Sequence, residues 1–173
     1  MEEKKQNLFF THNALFGLFV GLSYVVVSFL FLKTGREVSF NPQLNNVILM
    51  LSIAGVFVGV KKYRDQDLQG LISYKRALGA CVLLLAIAAL LYGIYIYYVY
   101  HTHPELTENY LITVEAALKE TYKNSTLAEN MSAMLKAFTT PASIAFAEIF
   151  NKIFTGTIFS LLIAGFLRRK PSI

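Results

Sequence analysis

Glu148, Asn151, Lys152 and Thr155 fall at i, i+3, i+4 and i+7 in the stretch AEIFNKIFTGT, a spacing that puts four polar groups on one helical face. A carboxyl and an amine one turn apart, flanked by an amide and a hydroxyl, are the parts of a proton or ion relay when the helix lies in lipid. Ionisable residues in a span face the bundle interior or a water-filled space. Glu followed by Lys at i+4 is also the favourable order for a local ion pair. Counting about twenty residues back from Arg168 reaches Glu148, which sets it near the far interface and Lys152 roughly one turn, ~6 Å, deeper. That depth favours the structural pair over the relay.

His101, His103 and Glu105 could begin a metal site, since imidazole and carboxylate suit zinc. Three ligands so close in sequence cannot surround one ion unaided, and His12 is expected on the opposite side of a membrane, so no metal site is expected. Cys81 is the only cysteine and sits in an apolar run, which excludes a disulfide framework and a Cys-based metal site. No Gly-rich phosphate cradle, Ser/His/Asp set or two-metal carboxylate cluster is present. The expectation is a protein without catalytic residues or cofactor.

The elements that carry these residues follow from composition. At 173 residues the chain is one domain by length. Its hydrophobic fraction, 55%, exceeds the roughly 45–50% of soluble domains, and its charged fraction, 16%, is below the usual ~25%. The apolar residues cluster into long runs, for which the bilayer is the natural solvent. The first predicted span covers 12–32; its apolar stretch, Leu8 to Leu32, is too long for a signal-peptide core and reads as an uncleaved anchor. The second covers 42–63. Its strictly apolar part, Val47 to Val60, is short, but Asn41-Pro42 caps one end and Lys61, Lys62 and Tyr63 can anchor the other. The third covers 77–98 and ends in interfacial tyrosines; the fourth covers 141–167, from the cap pair Thr140-Pro141 to Arg168-Arg169-Lys170.

Charge orients the spans. Lys4, Lys5, Lys61, Lys62, Arg64, Lys75, Arg76, Arg168, Arg169 and Lys170 share one side, against Lys33, Arg36, Lys119, Lys123 and Lys136 on the other. The positive-inside rule puts both termini and the 61–76 loop in the cytoplasm, which requires an even number of spans. Topology therefore accounts for the net charge of +5 without a nucleic-acid partner. The basic loop residues beside Tyr63 and Tyr74 also suit anionic lipid headgroups.

Between spans three and four, residues 102–139 form the expected extracytoplasmic segment. Leu106, Tyr110, Val114, Leu118 and Tyr122 recur at helical spacing, as do Leu127, Met131, Met134, Leu135 and Phe138. Two amphipathic helices are predicted, with Asn124-Ser125 as the break and Thr126 with Glu129 as a capping box. Gly17-xxx-Gly21, Gly55-xxx-Gly59, Ala89-xxx-Gly93 and Gly156-xxx-Ser160-xxx-Ala164 give each span a small-residue seam, suited to a tight bundle or to self-association. The fold class is thus an all-α integral membrane bundle of four transmembrane helices, residues 1–173 forming one membrane domain, with a helical hairpin outside the membrane.

The stretch KKYRDQDLQGLISYKRALG, residues 61–79, resembles a bacterial membrane-protein family known as domain of unknown function 4199. Its members look like four-span proteins with a similar segment after the second span and a Met- and Glu-rich helical segment before the last. The resemblance implies a multi-pass protein of the bacterial inner membrane and carries no activity, cofactor or catalytic residue. The expected function is non-enzymatic: packing with, or regulating, another membrane component through residues 102–139. The alternative is a small transport or channel subunit using Glu148 and Lys152.

Overall fold

A computed structural model describes residues 2–36, 38–39, 41–122 and 125–169. Lys123, Asn124 and Lys170, assigned above to topology and to a turn, lie outside the described residues, as do the side chains of Lys4 and Lys5. Among the described residues every regular element is helical: α1 (Glu2–Lys33), α2 (Pro42–Lys62), a π-helical turn (Tyr63–Asp67), α3 (Tyr74–Thr102), α4 (Pro104–Thr121), α5 (Ser125–Phe138) and α6 (Pro141–Leu167). Four stretches, Asn7–Lys33, Pro42–Asp67, Tyr74–Thr102 and Pro141–Leu167, are long and apolar enough to cross a membrane.

The second apolar helix owes its length to both ends. Asn41 accepts hydrogen bonds from the Gln43 and Leu44 amides at 2.9 and 3.1 Å, Pro42 starts the helix, and the π turn carries it on past Lys62. Thr140 and Ser143 cap α6 reciprocally, each backbone N–H bonding the other's hydroxyl. α1 begins well before the predicted residue 12, because no breaker separates the polar start from the apolar run.

The chain groups into two compact units, Met1–Tyr92 with Ile149–Ile173, and Gly93–Glu148. In the first, α3 is the inner helix: Ala77, Ala80, Cys81, Leu84, Leu85, Ala88 and Ala89 are buried. Small residues set how closely its neighbours approach. A Cβ on Gly17 would sit 2.7 Å from the Leu84 carbonyl oxygen, and one on Gly21 would sit 3.0 Å from Ala88 Cα. Gly156 abuts Leu85 in the same way, with Ser160 and Ala164 buried along its stripe. The outer faces are apolar: Leu15, Phe19, Leu22, Val26 and Phe29 on α1, and Phe150, Phe154, Ile158, Leu162 and Phe166 on α6, are exposed at helical spacing. Continuous apolar ridges of this kind suit contact with lipid and would be a liability in water.

In the second unit, α4 half-buries Leu106, Tyr110, Val114 and Leu118 as predicted, whereas Tyr122, the last residue of the predicted stripe, follows the helix as its C-cap and is exposed. α5 departs from its expected stripe. Ala128 and Ser132 are buried with Met131 and Leu135 half-buried, whereas Leu127, Met134 and Phe138 are exposed. The inward face is the narrower, smaller-residue one, which lets α5 approach close enough for Lys136 to reach Glu115 of α4 at 3.2 Å. Glu115 also pairs with Lys119 at 3.0 Å. α5 starts at Ser125, so Thr126 lies in its first turn and not before it.

Candidate functional site

Lys152 is only 8% exposed on α6 and donates to Asn45 Oδ1 of α2 at 2.6 Å. Its ammonium also lies 5.4 Å from the ring centroid of Tyr92 on α3, a cation–π distance. The Tyr92 hydroxyl accepts from Ser28 of α1 at 3.2 Å, and its ring meets Tyr24 edge-on at 6.0 Å. Ser52 gives its one proton to the Ile48 carbonyl, 2.7 Å away, so the 2.5 Å contact with Tyr24 has the tyrosine as donor. A buried polar tract thus joins α1, α2, α3 and α6. Each such bond adds only about 0.5–1.5 kcal/mol net, but leaving one member unpaired in an apolar interior costs more, so the tract specifies one mutual arrangement of the four helices.

Of the four residues predicted to share a face, Asn151, Lys152 and Thr155 line a common cleft of about 280 Å³ between α2 and α6. Thr155 donates to Asn151 Oδ1 at 3.2 Å. Glu148 is 1% exposed and does not line the cleft; its negative charge, after burial, helps raise the Tyr110 phenol above its ordinary range. The sequence reading does not single out Asn45, Ser52 or Tyr24, and it counts Tyr92 among the interfacial tyrosines that end the third span, whereas Tyr92 is fully buried. A signal existed: Asn45 and Ser52 are polar and two turns apart on one face of an apolar span.

The histidines have ordinary partners. His101 stacks on Tyr97 at 5.7 Å, and His103 Nδ1 lies 2.9 Å from Glu105 Oε1. Backbone N–H donation and the His103 contact hold the Glu105 carboxyl below its usual range. His12 Nε2 faces the Gly59 carbonyl at 3.2 Å and must therefore be its protonated nitrogen. Nδ1 sits 2.7 Å from Asp67 Oδ2. Among the described residues no group of three or more His, Cys, Asp and Glu is placed to hold a metal ion.

The 61–79 stretch is more than a charged loop. Tyr63 is fully buried, accepts from Arg76 Nε and Nη2 at 3.0 and 2.7 Å, and meets Phe9 of α1 edge-on. Arg64, 6% exposed, donates to the Leu167 carbonyl at the end of α6 and to Asp65. Gln69 and Gly70 turn the chain through positive φ, and Ile72 exchanges backbone hydrogen bonds with Arg169 at 3.2 and 3.0 Å. The segment clasps the ends of four helices. Its basic residues divide: Arg64 and Arg76 serve the clasp, while Lys61, Lys62 and Lys75, like Arg168 and Arg169 after α6, are exposed.

A family model described as "Protein of unknown function (DUF4199)" matches residues 15–169. No curated protein and no solved structure matches the chain.

Proposed function

We propose that this chain, which belongs to the DUF4199 family of unknown function, is a non-enzymatic, multi-pass protein of the bacterial inner membrane that engages another membrane component through α4 and α5. The observation that carries this reading is the outward face of α5, where Met134 is 63% and Phe138 is 71% exposed, with Leu127 beside them. Burying such side chains is worth roughly 1.5–3 kcal/mol each, and flexible methionines suit a surface that adapts to a partner. The uneven basic residues support cytoplasmic termini, with α4 and α5 as a helical hairpin outside the membrane. Lys61, Lys62, Lys75, Arg168 and Arg169 suit anionic headgroups, at about 1 kcal/mol per basic residue near a charged leaflet. The alternative, a transport or channel subunit, has less support: Lys152 already serves Asn45 and Tyr92 as a packing group.

The test is the double substitution Met134→Ser with Phe138→Ser, read for both detergent stability and co-purification after crosslinking in the native membrane. Unchanged stability with loss of a specific crosslinked partner is expected. Loss of stability in the isolated protein would show that the face packs internally and would overturn the proposal. Reporter fusions after Ile173 and within α4 should report opposite compartments.

A further inference from the structure

We infer that His12 is a proton-operated latch: with both ring nitrogens protonated it ties α1 to either end of the π turn, and loss of the Nδ1 proton releases the far end. The ring bridges two acceptors. Nε2 meets the Gly59 carbonyl at 3.2 Å, one helical turn before the π turn begins, and Nδ1 meets the Asp67 carboxylate at 2.7 Å, where it ends. A neutral imidazole has one N–H and can serve only one of these acceptors; serving both takes the imidazolium. With the single proton on Nε2, the Nδ1 lone pair would face a carboxylate oxygen and be repelled by it. The surroundings suit the cation. The ring stacks on Phe16 at 4.9 Å and lies 5.4 Å from the Tyr63 ring. Gly59 makes room for this stack, since a Cβ there would sit 3.1 Å from Phe16. Charged groups reach the cluster from three elements: Asp67 of the π turn, Lys62 of α2 at 5.6 Å from the Phe16 ring, and Arg76 of α3 at 5.7 Å from the Tyr63 ring. Asp67 alone touches the imidazole, so its charge outweighs two cations that reach only the neighbouring rings. The side chain is 13% exposed, which leaves a route for protons, and imidazole is the group that ordinarily changes charge between about pH 5 and 8. The turn it holds governs one end of the bundle, because Tyr63 takes Arg76 of α3 and Arg64 takes the Leu167 carbonyl of α6. One proton on α1 therefore biases how four helices meet.

The test uses the full-length protein in a maltoside detergent. The chain has 3 histidines, so ¹⁵N-histidine labelling gives a simple spectrum in which His12→Gln assigns the His12 ring. Between about pH 5.5 and 8.5, the range over which an imidazole changes charge, that ring should pass from imidazolium to the Nε2–H tautomer. Spin labels on Thr11→Cys and Gln66→Cys, both exposed positions, report the separation of α1 from the π turn. Their dipolar broadening should be strong at the acid end and lost at the alkaline end. His12→Gln keeps an amide N–H for the Gly59 carbonyl but cannot take the charge, so its labels should stay apart at every pH. Asp67→Asn, with folding checked by circular dichroism, keeps the shape without the charge and should flatten the response. A His12 ring that holds one protonation state across the range, a label separation that ignores pH, or a pH response that survives in the folded His12→Gln protein would overturn the latch.

Discussion

The clasp at residues 63–76 and the α4–α5 pair are both short, charged segments beside long apolar helices, yet they spend their side chains differently. In the clasp, Tyr63 and Arg64 are buried, and Arg76 and Arg64 bind a phenol and a helix-end carbonyl. In α4 and α5 the ion pairs are exposed or half-exposed, joining Glu115 to Lys119 and Lys136, and large apolar side chains face outward. The contrast separates charge used to hold a fold from a surface left over for something else. Buried charge-assisted bonds cannot be lost without leaving a costly orphan, whereas exposed pairs contribute little and can be exchanged.

The largest expected effect lies in the clasp. Arg64→Ala would strip the Leu167 carbonyl and Asp65 of their donor and should cost about 2–3 kcal/mol, read by denaturant unfolding in detergent. Lys75→Ala, at an exposed position, should stay within about 0.5 kcal/mol, and equal losses for the two would erase the distinction. Next comes Tyr63→Phe, which leaves the Arg76 guanidinium without its acceptor and should cost about 1–2 kcal/mol without changing the helical content seen by circular dichroism.

The Met134 and Phe138 double substitution should change stability by less than about 0.5 kcal/mol, since both side chains are exposed, while removing any partner that uses them. The smallest effect concerns acid. Lys119 and Lys136 hold the Glu115 carboxyl below its ordinary value of 4.5. Its pairing therefore contributes fully above that value and is lost as pH falls through the lowered folded value. Spin labels placed on α4 and α5 should report a modest widening on acidification below pH 4.5. Glu115→Gln should already be widened at neutral pH and insensitive to acid. A wild-type separation that ignores pH would show that the bridge to Lys136 does not hold the helices together.

Sequence by itself determined the four apolar helices, the caps at Asn41 and Thr140, and the two shorter helices between Pro104 and Phe138. Hydrophobic periodicity, cap residues and proline act within one or two turns, so their meaning is complete in a short window of chain. The small-residue seams were legible too, although which helix each one meets was not. Tertiary structure alone decided that Lys152 finds Asn45 across 107 residues, that Arg64 caps a helix ending 103 residues later, and that α5 turns Ala128 and Ser132 inward in preference to Met134 and Phe138. Those choices depend on how closely backbones can approach and on which donor happens to face which acceptor, and neither is encoded in any local stretch of the chain.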